Sequence, residues 1–544
     1  MLKKNKNFII ICILSASLYG FADSYFEISK NLDVFTTLYR ELNNYYVDET
    51  DPGKLMKTGI DAMLKSLDPY TTYIPESEIE DFRFMTTGQY GGIGAVITQR
   101  ESYVYISEPY EGFPAQKAGL QAGDKILKID GESAKDKTTE DVSKALKGEP
   151  NTEVELLIER LNSKQFSVVF KREKISVKSV PYYSFIKDNI AYVKLRSFTR
   201  NCTKDIKDAL VEMKKEKDLD GIILDLRSNP GGLLNEAVSI VNLFVDQGEE
   251  VVSTKGKIKS WDKKYMANNT AFDTKTPIAV LINQSSASAS EIVSGAIQDL
   301  DRGVVIGRRS YGKGLVQQTK KLSYNAQLKL TVAKYYIPSG RCIQALDYSN
   351  RNDDGSVGKV PDSLMTPFKT RNGRTVYDGG GIKPDILVEQ EDISKILIAL
   401  LRERLFFDYA TEYKSLNADL DSNFIMDDSG FLKFEAFLQD KEFEYKTDTE
   451  KILEKLKKKS KEEEYFTFLS DDLNNISSQL SLEKKDDLKR SKLDIQGILS
   501  GEISSRYYYQ EGRIRSSINY DLEINKALEI LQSPSRYDSI LNAL

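Results

Sequence analysis

Asn283-Gln-Ser-Ser-Ala-Ser-Ala-Ser-Glu-Ile-Val-Ser-Gly295 follows an apolar run, Ile278–Ile282, and opens a helical pattern through Ile292, Val293, Ala296, Ile297 and Leu300. A short apolar run, a turn of small residues and then a 3.6-residue period is how an α/β sheet presents side chains at the C-terminal end of a strand. The same texture lies on both sides. Ile190–Phe198 reads as a strand, and Thr203–Lys217 as a helix with Ile206, Ala209, Leu210 and Met213 on one face. Gly221–Arg227 reads as a buried strand, Ser228-Asn-Pro-Gly-Gly232 as a turn, Leu233–Val245 as a helix and Val304–Ile306 as another strand. Repeated βα units with short turns predict a mostly parallel sheet covered on both faces. The turns after Arg227 and Ile282 then fall at strand ends where such sheets build sites.

Ser288 has two readings. Ser288-Ala-Ser-Glu291 matches the S-x-x-E capping box, which satisfies the orphan amides of a helix start. Downstream, Tyr311-Gly-Lys-Gly-Leu-Val-Gln317 places a lysine between two glycines, twenty-five residues after Ser288. A serine at a helix start, that lysine and a glutamine four residues later resemble a Ser/Lys hydrolase site. Composition narrows the chemistry by exclusion. The 544 residues contain no histidine, which removes a Ser-His-Asp triad, a Cys-His pair and any His-ligated zinc site. No metal or other cofactor is called for. A net charge of −5 and a pI near 5.5 give no electrostatic footprint for nucleic acid. Three cysteines, Cys12 among them, make no disulfide framework.

Before the α/β region the texture is β. Gly91-Gly-Ile-Gly-Ala-Val-Ile97 leads to strands near Tyr103–Ser107, Glu153–Glu159 and Phe166–Lys171, with a helix near Thr139–Leu146. Grouped glycines can mark a bulge. They can also leave backbone amides free beside a strand edge, where a peptide adds as an extra strand and its terminal carboxylate is caught. With Ala118-Gly-Leu-Gln-Ala-Gly-Asp124 and Ile129-Asp-Gly131 this segment resembles a PDZ domain. That resemblance makes Gly92, Ile93, Gly94 and Ala95 the carboxylate-binding loop, and protein or peptide C-termini the partners.

The two ends differ from this core. Residues 1–22 have a basic start (Lys3, Lys4, Lys6), an apolar run Phe8–Leu14 and small residues up to Ala22. They read as a signal peptide for export to the periplasm or the outer face of the cytoplasmic membrane, an uncleaved membrane anchor being the alternative. Residues 23–83 form a helical N-terminal segment with apolar positions at Leu32, Phe35, Leu38 and Leu42, suited to scaffolding or to a homo-oligomer contact. Residues 84–172 are the PDZ-like domain and 173–392 the α/β core. Residues 393–544, charged and with one proline (Pro534), read as a helical extension serving as adaptor, oligomerisation element or partly disordered tail.

Taken together the motifs are similar to those of the carboxy-terminal processing (tail-specific) proteases of the Ser/Lys type, from about Asn31 to Asp385. They are Asp225-Leu-Arg-Ser-Asn-Pro-Gly-Gly232, Ser286-Ala-Ser-Ala-Ser-Glu291, Tyr311–Gln317, Tyr336-Ile-Pro-Ser-Gly340 and Gly379-Gly-Gly-Ile-Lys-Pro-Asp385. The resemblance implies a serine endopeptidase with Ser288 as nucleophile, Lys313 as general base and Gln317 orienting the lysine. The physics is compatible. A serine hydroxyl needs a positioned base, and a lysine serves only when desolvation favours its neutral amine. The Ala289 amide and one from Gly231 or Gly232 are the expected oxyanion donors. Asp225 and Arg227 read as a structural pair, and Ser285, Ser286 and Ser290 as turn and capping residues. Gly307-Arg-Arg-Ser-Tyr-Gly-Lys-Gly314 nearly spells a P-loop, but position 314 lacks the hydroxyl and strands, not a helix, are expected after it.

Overall fold

In a computed structural model the chain is described over residues 25–351, 357–389 and 393–542; the expected signal segment lies outside them. Two compact units result, one from residues up to Pro75 with Thr319–Leu330, the other from Glu76–Gln318 with Thr331 onward. In the first, residues 25–45 and Pro52–Lys65 are helical, and a short strand, Thr72–Ile74, pairs antiparallel with Gln327–Lys329. Asp51 caps the second helix by accepting from the Lys54 amide, with Pro52 at its first position. Among the described residues no helix is long and apolar enough to cross a membrane.

The second unit is built on a six-stranded sheet ordered Tyr182–Lys187, Ile190–Lys194, Gly221–Asp225, Ile278–Ile282, Val304–Gly307, Ile386–Leu387. Only the first pairing is antiparallel, as the βα rhythm predicts. Alternate residues feed two cores. Ala191, Val193, Ile222, Leu224, Val280 and Ile282 pack against helices Cys202–Glu216, Leu234–Asn242 and Ala289–Asp299. The opposite face, with Tyr192, Ile223, Ala279, Leu281, Val304 and Ile306, is covered by the last two helices, Leu522–Leu531 and Pro534–Leu541. The boundary drawn at residue 393 therefore separates in sequence what the fold joins. The sheet's second face supplies the apolar cover that Ile524, Ala527, Ile530 and Leu531, spaced three and four apart, require. Removing residues 522–542 is expected to leave a chain that does not fold. Several buried side chains worth roughly 1.5–3 kcal/mol each are together comparable with the ~5–15 kcal/mol by which domains are stable. Ile530→Ala alone should cost about 3 kcal/mol in denaturant unfolding.

The PDZ-like sheet runs Ala95–Arg100, Tyr103–Pro109, Lys125–Ile129, Glu153–Glu159, Phe166–Lys171, which leaves Ala95–Arg100 at an edge beside helix Thr139–Leu146. Two boundary expectations are corrected. Residue 84 falls inside a helix, Ile79–Thr87, ended by Gly88 in the left-handed conformation. The boundary at 172 cuts off a strand, Glu173–Ser176, that pairs with Gln89–Gly92 and ties the domain's two ends together. Helices of the C-terminal extension grip this domain through Arg100–Asp408 (2.6 Å) and Arg513–Glu108 (3.0 Å).

Candidate active site

Two turns meet at the C-terminal end of the parallel sheet. Asn283, at the end of its strand, accepts from the Ser228 amide (2.9 Å) and the Ser285 amide (3.1 Å). Ser286, fully buried, donates to the Leu226 carbonyl (2.8 Å), and Ser290 donates to the Asn229 carbonyl (2.9 Å). These serines fasten one turn to the other, the structural role their positions suggested. Gly231 must be glycine here. It has φ +98°, and an added Cβ would lie 2.9 Å from both the Ala289 nitrogen and the Ser288 Cβ.

Ser288 sits half-buried at φ 56°, ψ −110°, a left-handed conformation that costs a non-glycine residue ~1–3 kcal/mol. An ordinary N-cap is extended; a strained serine on a strand-to-helix turn is instead how a nucleophile is held out from a sheet. The capping-box arm from Glu291 is present, its carboxylate accepting from the Ser288 amide at 2.7 Å. It does more than cap. Glu291 is fully buried and also accepts from the Ser310 hydroxyl (2.5 Å), the Gly312 amide (2.6 Å) and the Lys313 amide (2.9 Å). Burial pushes its carboxyl above the ordinary range, against the pull of the Ser310 hydroxyl and the amides of Lys313, Gly312 and Ser288. Tyr335 adds a second clamp, its buried hydroxyl lying on the Lys313 carbonyl and 3.2 Å from that of Ser288. One carboxylate and one phenol thus hold the backbones of Ser288 and Lys313 together.

The lysine loop depends on its glycines for close approach. An added Cβ at Gly314 would fall 2.8 Å from the Gln344 nitrogen, and Gly312, at φ +88°, abuts Ala345. Gln344 closes the loop by accepting from the Gly314 amide (2.8 Å). Leu315–Lys321 is a strand, which disposes of the P-loop reading. Gln317 lies on that strand with its amide nitrogen on Thr331 (3.2 Å). Of the expected oxyanion donors, the Gly231 amide is committed to the Asn229 side chain (2.9 Å). Those of Gly232 and Ala289 take no partner among the described residues.

Asp225 and Arg227 form the expected structural pair, within a larger network. Asp225 accepts from Tyr192 (2.7 Å), Lys194 (2.9 Å) and Arg227 (2.8 Å), while Arg227 reaches Asp521 (2.8 Å) and Glu523 (3.1 Å) in the extension. Burial would raise the Asp225 carboxyl, but Arg227 and Lys194 hold it far below the usual carboxylate range. In the PDZ-like domain, Gly92–Ala95 joins strand Gln89–Gly92 to the edge strand, with Ile93 buried and Gly94 at φ +74° against Phe113.

An α/β core in which a strained serine and a nearby lysine share one carboxylate through their backbone amides, preceded by a PDZ-like domain, has the arrangement of a serine-type peptidase. Sequence profiles agree: residues 189–349 match peptidase family S41, 105–160 a PDZ domain, and 396–531 a domain described as "Probable PDZ-protease, C-terminal helical domain". A carboxy-terminal-processing protease of Bartonella bacilliformis is 37% identical over 355 residues, 64% of this chain and 81% of the relative. A CtpA-like serine protease of Staphylococcus aureus (strain COL) is 37% identical over 316 residues, 58% of this chain and 63% of its own. Among solved structures, the photosystem II D1 C-terminal processing protease is 28% identical across 68% of this chain and 95% of its own, with a TM-score of 0.35. The PDZ domain of a carboxy-terminal protease from Vibrio cholerae, in complex with peptide, is 30% identical across 16% of this chain and 99% of its own, with a TM-score of 0.16. The chain belongs to the carboxy-terminal-processing proteases, PDZ-containing serine peptidases of family S41.

Proposed function

We propose that this protein is an exported endopeptidase that takes hold of substrate proteins by a free C-terminus and hydrolyses their peptide bonds with a Ser288/Lys313 dyad. The observation that carries the proposal is the shared clamp: both residues are anchored through their backbones to Glu291 and Tyr335. In this reading the neutral Lys313 amine takes the Ser288 proton as the hydroxyl attacks, and returns it to the leaving amine. Gln317 orients the lysine from its strand without adding a negative charge that would keep the amine protonated. The amides of Ala289, at the helix start, and Gly232 receive the developing oxyanion. Gly231 is left out, because its amide is already spent on Asn229. Export follows from the basic start and apolar run of the first 22 residues. Incubating one peptide with wild type and with Ser288→Ala tests the activity: the wild type should cleave it, the variant should only bind it, and cleavage by both would refute the assignment.

The PDZ-like loop yields a second expectation. Backbone amides at Gly92–Ala95 suit an anion, so a substrate peptide with a free carboxylate should bind about tenfold more tightly than its C-terminally amidated twin. Equal binding of the two would remove the loop from substrate choice.

A further inference from the structure

The turn that carries Gly231 and Gly232 is held from within by one side chain. Asn229 lies in the turn after strand Gly221–Asp225 and is fully buried. Its side-chain nitrogen donates to the Leu195 carbonyl (2.9 Å), and its side-chain oxygen accepts from the Gly231 amide (2.9 Å). Its backbone amide donates to the Leu226 carbonyl (3.2 Å). Its backbone carbonyl accepts from the serine turn twice, from the Ala287 amide (3.1 Å) and the Ser290 hydroxyl (2.9 Å). Those two residues directly bracket Ser288 and Ala289. Phe198 steadies the glycines from the other side, donating its amide to the Gly231 carbonyl (3.0 Å) and accepting from the Leu233 amide (2.8 Å). The result is that Gly231 is buried while Gly232 is exposed. Few side chains could do this. The Gly231 amide requires an acceptor and the Leu195 carbonyl a donor, and a primary amide carries both on one short stem.

We infer that Asn229 is a positioning residue for the oxyanion site. It draws the Gly231 amide back into the turn, leaves that of Gly232 to face the reacting carbonyl, and fixes the spacing between this amide and that of Ala289. This rests on the reading of Ser288 as nucleophile and of Gly232 and Ala289 as oxyanion donors. A donor lowers the barrier when it already points to where negative charge develops. The two donors here belong to different turns, so their spacing is set by whatever bonds one turn to the other. Ser286 and Asn283 join the turns at Leu226 and Ser228, upstream of the glycines. Asn229 joins them beside the donors themselves, its carbonyl on the residues around Ser288 and its side chain on Gly231. It acts on the reaction only through the amides it places.

The test pairs steady-state kinetics with inhibition by a peptide boronic acid, both on the full chain. The boron accepts a lone pair from the Ser288 Oγ, the hydroxyl proton passes to Lys313, and the anionic tetrahedral adduct sets an oxygen where the oxyanion would form. Asn229→Ala should lower kcat about 10²-fold and weaken boronate inhibition by a similar factor, with KM within about twofold of wild type. A purely structural role would lower the folded fraction and leave the inhibition constant of the folded protein alone. Ser290→Ala removes one of the two bonds on the Asn229 carbonyl and keeps the side chain. It should lower kcat and boronate affinity about fivefold each, and it decides the matter if Asn229→Ala misfolds. Unchanged kcat in the folded variants, or a loss of kcat with boronate inhibition intact, would overturn the role of Asn229 and leave the dyad standing. A boronate that fails to inhibit the wild type, or that mass spectrometry locates on a residue other than Ser288, would overturn the reading of Ser288 and this inference with it.

Discussion

Lys313→Arg should lower kcat for peptide cleavage by about 10³-fold or more, with peptide binding and thermal stability close to wild type. Arginine keeps the positive charge but cannot give up its proton at usable pH, so it cannot accept one from Ser288. The backbone at this position is held independently of the side chain, by Glu291 on the amide and Tyr335 on the carbonyl. The loss should therefore be chemical rather than structural. Lys313→Ala and Ser288→Ala should fall to the same floor, and the double variant no further, because two groups that act as one unit are not additive. The check is kcat and KM on one peptide with folded protein measured in parallel. Near wild-type cleavage by Lys313→Arg would return Ser288 to the role of a helix cap.

Glu291→Gln should cost about 10²-fold in kcat and roughly 3 kcal/mol in stability. The magnitude follows from the inventory of its contacts. Each carboxylate oxygen accepts two bonds, Ser310 and Gly312 on one, Ser288 and Lys313 on the other. A glutamine replaces one of these acceptors with an NH2 group, which turns donors against donors in a fully buried place. Leaving such groups unpaired costs ~1–3 kcal/mol each, and the relief available is movement of the lysine loop away from the serine turn. Glu291 touches neither substrate nor reacting atoms in this account; it positions both residues. Its substitution should therefore reduce kcat far more than it changes KM, whereas a purely structural role would lower only the folded fraction. Urea unfolding and steady-state kinetics on the same samples separate the two.

How much of this was legible in the sequence depended on whether a residue's partner lies nearby along the chain. Strands Gly221–Asp225 and Ile278–Ile282, and helix Ala289–Asp299, could be read because their apolar periods are set by the layer they build. Ser288, Lys313 and the glycines beside them were legible as motifs. Glu291 could be read only as a local cap, since its bonds to Ser310, Gly312 and Lys313 are made across the fold. Arg227 was paired with Asp225 two residues away, but its bonds to Asp521 and Glu523 span nearly 300 positions. For the same reason the last two helices looked like part of a solvated extension until the sheet face they cover was in view. Strands Thr72–Ile74 and Glu173–Ser176 are too short to show a period and owe their identity to the strands they pair with.

The central claim, that Ser288 attacks and Lys313 activates it, is tested most directly by trapping the covalent intermediate. A peptide ester is mixed with the full chain, quenched in acid during turnover, and the acylated residue is located by mass spectrometry. The account predicts an acyl group on Ser288 in the wild type and none in Lys313→Arg or Ser288→Ala. Acylation of a different residue, or acyl-enzyme forming in Lys313→Arg at the wild-type rate, would contradict it.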